Sequence, residues 1–424
     1  MTASRRTLRR ASALLLWALV MGCPQPALAE LGSDVAELLE YARSHNPELA
    51  ALARDADAAG AQVGVAEALP DPRFQLELMD FTNAGSGRDA SLLPGEVGVT
   101  RYRLIQPLPF WGKRALRGEL ARNRAAQSRQ AIGVGAAQIE TDIKQAFARY
   151  VEADGRDRIQ RDTLSLLEGL EQLVLTRYAV GLVPQQGALR AQSEITRVRI
   201  DLLETGRRLA EARARLNAAL PRPADAPLAE PQAPPVAAAL PPLAVLSARA
   251  RDRAPELAVL RVGAEASEVA RELVARERYP DFAVGLTNNR PHNGEDSWDL
   301  MLELNIPLQR TRRLDDERRA GYLRQAADDR VAAAEARIDG QLGALWASVE
   351  AARARARLLE HSLLPQSRAA LEAAEAGYET GTVNFDTLIE AQRRILQTRL
   401  ALLESRVEAW LGVADIERIL GEPL

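Results

Sequence analysis

The sequence contains one cysteine, Cys23, and three histidines, His45, His292 and His361. A single cysteine cannot close an intramolecular disulfide, so the fold must do without one. The histidines lie far apart with no ligand spacing, which argues against an imidazole metal site. Past the N-terminal segment the thioethers are Met79 and Met301, too few for a soft-metal relay of Cys and Met. Aromatics are 4% of the chain, and no basic patch is interleaved with them, which argues against a nucleic-acid binder. Gly-rich phosphate loops and nucleophile elbows are missing. The expectation is a protein that is not an enzyme and holds no cofactor and no metal.

What is abundant is Ala, Leu, Glu and Arg with helical periodicity, which points to long helices and coiled coil. The net charge of −3 is near balance for 424 residues. The N-terminus reads as an export signal over residues 1–29. Arg5, Arg6, Arg9 and Arg10 precede an apolar run from Ala11 to Met21, and Ala27-Leu28-Ala29 offers a cleavage site. Val20-Met21-Gly22-Cys23 offers a rival reading, lipidation at Cys23, in which Met before Gly is atypical. The apolar run is too short for a stable membrane span. With no other candidate helix, entry of the mature chain into a membrane would require β-strands.

The strongest signal is an internal repeat. Pro47-Glu48-Leu49-Ala50-Ala51-Leu52 recurs as Pro255-Glu256-Leu257-Ala258-Val259-Leu260, and the offset then falls from 208 to 200. From Tyr178 to Glu204 against Tyr378 to Glu404, ten of 27 positions are identical, where chance gives roughly two. Each repeat predicts short helices, a β-hairpin and two long helices. The first spans 30–220, with its hairpin at 73–106 and long helices at 112–180 and 184–220. The second spans 246–424, with its hairpin at 281–307 and long helices at 311–380 and 384–420. The connector 221–245 carries eight prolines between Pro221 and Pro242 and reads as extended chain.

The strand segments alternate. Phe74, Leu76 and Leu78 oppose Arg73, Gln75 and Glu77; Trp298, Leu300, Leu302 and Leu304 oppose Asp299, Met301 and Glu303. Segments of this length, apolar on one face, suit transmembrane β-strands, with a small soluble sheet packed on helices as the alternative. Loops are expected at 82–96 and 288–296. Between Lys113 and Val183 there is no proline, enough for a rod of roughly 100 Å. Pro365 predicts a bend near His361–Pro365. Leu189, Ile195, Leu202, Leu209 and Leu216 recur near every seven residues, the mark of a coiled-coil seam. Gly181 and Gly381 end the rods, where φ > 0 lets the chain turn. Four strands cannot close a barrel, so strands in a membrane demand an oligomer.

Just after the second turn, Asp386 and Glu390 fall on one helical face. In an oligomer they would ring a narrow mouth and favour cations. Against this, Asp386 suits a helix N-terminus on dipole grounds, and Glu390 has Arg393 and Arg394 within reach. Arg190, the repeat equivalent of Glu390, is placed to neutralise part of such a ring.

In its order of elements and its local motifs the chain resembles the TolC-type outer-membrane efflux family. Tyr178-Ala179-Val180-Gly181-Leu182-Val183 is similar to the family's tip motif, and Tyr378-Glu379-Thr380-Gly381-Thr382-Val383 matches the second tip. Asn46-Pro47-Glu48-Leu49 and Leu69-Pro70-Asp71-Pro72 also fit. Gln106-Pro107-Leu108-Pro109-Phe110-Trp111-Gly112-Lys113-Arg114 looks like the heavy-metal, CzcC-like branch.

The resemblance implies a mainly α fold with a small β part, a long α-helical barrel and four transmembrane strands per subunit. It also implies a homotrimer in the outer membrane with a long periplasmic portion. Its partners would be a periplasmic adaptor and an inner-membrane pump of the resistance-nodulation-division type. Val180, Gly181, Leu182, Thr380, Gly381 and Thr382 would be the adaptor-contact tips, and Tyr378, Asp386 and Glu390 the periplasmic gate. A periplasmic coiled-coil scaffold or adaptor without a barrel is the alternative. It would carry no duplicated hairpin with strands of membrane length.

Overall fold

The structure, a computed structural model, describes residues 31–84, 87–233 and 239–424. The expected export signal, residues 1–29, and Cys23 within it lie outside the described residues.

Asp34 opens the first helix, α1 (Val35–His45), by accepting the backbone N–H of Ala36 at 3.3 Å. Asn46 then caps α2 (Pro47–Glu67): its Oδ1 accepts from the N–H of Glu48 (2.8 Å) and of Leu49 (3.3 Å), and Pro47 occupies the first helical position. Four strands follow in two pairs, β1 (Arg73–Met79) with β2 (Val99–Leu108) and β3 (Asp281–Pro291) with β4 (Ser297–Asn305). They join into one antiparallel sheet in the order β1-β2-β3-β4, so the two repeats meet along β2 and β3.

The sheet has two unlike faces. In register, Phe74, Leu104, Leu286 and Leu300 make one apolar row, and Leu108, Phe282 and Leu304 make another. Leu300 and Leu302 on this face are 80% and 73% exposed. The opposite face is polar. Arg101 pairs with Glu77 at 3.1 Å and donates to Asn289 at 2.7 Å, and Asn289 donates to Asp299 at 2.6 Å. This network explains why β3 runs on to Pro291, although a loop was expected from residue 288. Asn288 and Asn289 are polar yet have cross-strand partners in Trp298 and Ser297, so polarity does not end the strand.

The longest helix is α3 (Lys113–Ala179), 67 residues in one unbroken element. A turn at residues 180–184 leads to α4 (Gln185–Ala219), which is tied back to α3 by Arg199 on Glu168 at 2.9 Å. The seam of α4 follows Ile195, Leu202, Leu209 and Leu216 as expected and departs only at its start, where Ala188 takes the place of Leu189. Ala188, Ala191, Ile195, Val198, Thr205, Ala212 and Leu216 are buried, whereas Leu189 is 55% exposed. Alternating steps of three and four residues define this stripe, and small residues let the helices approach closely.

Past Ala219 the chain turns, with Arg222 donating to the carbonyl of Asn217 (2.9 Å), and Ala229 and Gln232 then donate backbone hydrogen bonds to the carbonyls of Leu31 and Ser33 (3.0 and 2.9 Å). Next come α5 (Leu243–Arg253), α6 (Pro255–Arg276), the second hairpin and α7 (Arg310–Leu358). At Leu359–Leu363 the helix widens into a π-turn before α8 (Leu364–Glu379), and α9 (Phe385–Leu420) completes the fold. Pro365 lacks an N–H and crowds the carbonyl four residues back; a wider turn accommodates both defects without ending the helix.

Two compact units can be distinguished, and both draw on both repeats. Among the described residues, one comprises 31–45, 146–233 and 374–396; the other comprises 46–145, 239–373 and 397–424. In the second, a core of Leu246, Leu257, Ile338, Leu342, Val349 and Ile416 is fully or almost fully buried. Among the described residues no helix is long and apolar enough to cross a membrane.

Candidate functional site

The two turns that end α3 and α8 are built alike, one in each repeat. Gly181 has φ +75° and Gly381 has φ +77°. The N–H of Gly181 donates to Tyr178 O (2.9 Å) and that of Leu182 to Arg177 O (2.9 Å). In the second turn, Gly381 donates to Tyr378 O (3.2 Å) and Thr382 to Gly377 O (2.8 Å). Both are Schellman motifs, which satisfy the last carbonyls of a helix and require a left-handed residue.

Their surfaces differ. In the first turn Val180 and Leu182 are 67% and 72% exposed, which leaves an apolar tip. In the second, Thr380 Oγ1 donates to Ala376 O (3.0 Å) and Thr382 Oγ1 to Gly377 O (3.1 Å), so the hydroxyls lock the turn from within. Asn384 accepts from Thr387 N–H at 3.0 Å and caps α9. Asp386 therefore sits in the first turn of α9, where the helix dipole favours a carboxylate.

Tyr178 and Tyr378 are repeat equivalents in unequal places. Tyr178 is 44% exposed, whereas Tyr378 is 3% exposed and does not face an opening within the chain. Its ring meets Phe385 edge-on at 5.6 Å, and the Arg177 guanidinium lies 5.1 Å from its centroid. Arg177 also donates to the carbonyls of Tyr378 (2.6 Å) and Glu379, placing a cation on the C-terminal end of α8. Burial pushes the Tyr378 phenol above its ordinary range, and the charge of Arg177 offsets part of that rise.

Of the two carboxylates, Asp386 is matched by an arginine. Asp386 pairs with Arg190 at 3.0 Å, both about half exposed. Glu390 is exposed, and Arg393 feels its charge while binding mainly to Glu194. Glu194 is 6% exposed and accepts from both Nε (3.1 Å) and Nη2 of Arg393. Arg177 and the Glu194–Arg393 pair are the members that motif reasoning missed. Position 377, equivalent to Arg177, is Gly, so a break in the repeat at a helix end was the available signal.

Residues 38–221 match the family model described as "Outer membrane efflux protein". The cobalt-zinc-cadmium resistance protein CzcC of Cupriavidus metallidurans is 24% identical over 405 residues, 94% of this chain and 92% of that protein. Among solved structures, the outer-membrane channel OprN superposes with a TM-score of 0.78 at 18% identity, covering 91% of this chain and 89% of that one. CusC gives a TM-score of 0.78 at 17% identity, covering 92% of each chain. VceC of Vibrio cholerae gives 0.75 at 18% identity, covering 92% of this chain and 96% of its own. The family match lies in the first repeat, the second repeat duplicates it in sequence, and the chain shares the fold of these outer-membrane channels over nine-tenths of its length.

Proposed function

We propose that the protein is the outer-membrane duct of a tripartite efflux system and acts as a homotrimer without catalysis. The observation that carries this reading is the sheet. One face is apolar and exposed, the other is a charged network, and β1 and β4 each have a strand on one side only. Open edges in lipid leave backbone groups unsatisfied, and three copies joined edge to edge remove them. The apolar face then meets lipid and the polar face lines a 12-stranded lumen. Strands of seven to eleven residues have the reach to cross a bilayer when tilted. A helix of 67 residues, about 100 Å, suits passage through the periplasm.

The exposed Val180 and Leu182 at the first turn, beside the locked second turn, would be where a periplasmic adaptor docks, with an inner-membrane pump supplying energy. The CzcC relative supports divalent heavy-metal cations as cargo. Expression in a strain lacking its own duct, together with a cognate adaptor and pump, tests the whole reading. The expected result is a heat-sensitive trimer in the outer-membrane fraction and lower cellular cobalt, zinc or cadmium. A monodisperse monomer in mild detergent overturns the duct; a trimer that lowers no metal overturns only the cargo.

A further inference from the structure

At one end of the sheet β2 runs into α3, and α6 runs into β3. Asp281 fixes this corner by accepting from Phe110 N–H (2.9 Å) and from Lys113 Nζ (2.8 Å). Phe110 stacks on Tyr279 with centroids 4.6 Å apart, and Trp111 packs on Phe282 at 5.7 Å. Beside this aromatic cluster lies a groove of about 820 Å³ whose wall includes Leu69, Leu108, Trp111, Phe282 and Leu302. The groove continues the apolar strand face, since Leu108, Phe282 and Leu302 belong to that face. Trp111 is 75% exposed at its mouth.

Charge surrounds the opening. Arg114 lines the groove and is exposed. The guanidinium of Arg276 lies against Gly112, another lining residue. Neither Arg114 nor Arg276 has an ion pair among the described residues, whereas Arg122 on the same wall is neutralised by Glu67. Arg278 covers the outer side of the aromatic cluster at 5.1 Å from the Tyr279 ring. An apolar slot, an exposed tryptophan and two unmatched guanidiniums form a sequence from oil to interface to anion. Tryptophan prefers the membrane–water boundary, and arginine binds phosphate in two-point fashion.

We infer that this groove holds one glycerophospholipid of the periplasmic leaflet, its acyl chain along Leu108, Phe282 and Leu302 and its phosphate on Arg114 and Arg276. The inference rests on the reading of the sheet as a transmembrane element. A free phosphate would leave the apolar wall empty, and a neutral lipid would leave the arginines unmatched. A bound anionic phospholipid such as phosphatidylglycerol satisfies both, and it would pin the corner where strands become helices at the depth of the headgroups.

The test uses the full chain, extracted in mild detergent and titrated with phosphatidylglycerol while native mass spectrometry counts lipids retained per trimer. Arg114→Gln and Arg276→Gln are each expected to weaken the tightest lipid about tenfold, and Trp111→Ala to shorten its retention. Arg54→Gln, at an exposed site on α2 outside the groove, should change nothing. Folded trimers of the double arginine variant with wild-type lipid retention overturn the inference and leave the duct intact. Loss of the trimer in Trp111→Ala with retention unaffected by the arginine changes overturns it too, by assigning the groove to a subunit contact. Wild-type protein that fails to enter vesicles at all overturns the transmembrane reading, and this inference with it.

Discussion

Arg190 of α4 holds Asp386 of α9 at 3.0 Å, so the first repeat supplies the cation for an anion of the second. The charge balance at this level is therefore not that of two carboxylates alone. Exposed pairs of this type contribute little to folding, about 0–1 kcal/mol. Their effect is on the local field. Arg190→Ala should leave the thermal midpoint nearly unchanged while raising the cation preference of the channel in planar bilayers. Glu390→Gln should lower that preference more than Asp386→Asn, because Asp386 is already matched. Reversal potentials identical in all four proteins would show that these groups do not border the conducting path.

Substitution at the two tip glycines separates strain from contact. A Cβ built on Gly181 or Gly381 meets nothing within 4 Å, so a side chain there costs only the φ of +75° or +77°. That cost is about 1–2 kcal/mol, local to the turn. If the protein is the proposed trimeric duct, Gly181→Val and Gly381→Val should both preserve the trimer, while efflux with the cognate adaptor falls. Gly181→Val is expected to be the more harmful because its turn presents the apolar surface. Loss of the trimer in sucrose-gradient fractions would make both glycines folding determinants only.

Much of this was legible from the chain because duplication leaves matched marks. The repeat offset gave two hairpins, and the alternation in Phe74-Leu76-Leu78 and Trp298-Leu300-Leu302 gave the apolar face of the sheet. Glycine at both helix ends gave the turns. Helix rotation was legible from Ile195 through Leu216 and misread only at the start of α4. The α4 seam runs through Ala188 and Ala191 while Leu189 faces outward, because close helix packing selects small residues there and leucine size misleads. The asymmetry of Tyr178 and Tyr378 was also hidden. Equivalence under a repeat says nothing about which copy is covered, and here Arg177 and Phe385 cover one alone.

That cover yields a further expectation. Arg177 reaches from the end of α3 to two carbonyls at the end of α8, and its charge favours that helix terminus. Arg177→Met keeps the aliphatic bulk over Tyr378 and removes the donors. Single-channel records should show more frequent or longer openings, and cells should admit large antibiotics more readily. Arg177→Lys should restore the wild-type records only in part, since an ammonium cannot span both acceptors in the planar fork of arginine. Unchanged gating in Arg177→Met would reduce the arginine to a helix cap.

Burial at Asp415 gives a pH dependence of stability with a definite sign. The Asp415 carboxyl is raised above its usual range by desolvation, which Arg418 at 4.0 Å and a hydrogen bond from Gln145 at 3.0 Å offset only in part. A raised folded-state value means the folded chain holds the proton more tightly than the unfolded one. The stabilising contribution is thus complete below the ordinary carboxylate value, about 4, and is lost as pH rises through the folded-state value. At pH 7 the ionised Asp415 opposes folding. Asparagine has no charge to desolvate, and its Oδ1 can still accept from Gln145. Asp415→Asn should therefore melt above wild type at pH 7 in detergent, with the gap closing toward pH 4. Glu360 has the opposite sign: the hydrogen bond from Arg406 at 2.7 Å holds its carboxyl below the usual range. Glu360→Gln should be slightly destabilising at pH 7, and that deficit should fade on acidification and with added salt. Parallel melting curves for Asp415→Asn and wild type from pH 4 to pH 7 would refute the burial argument.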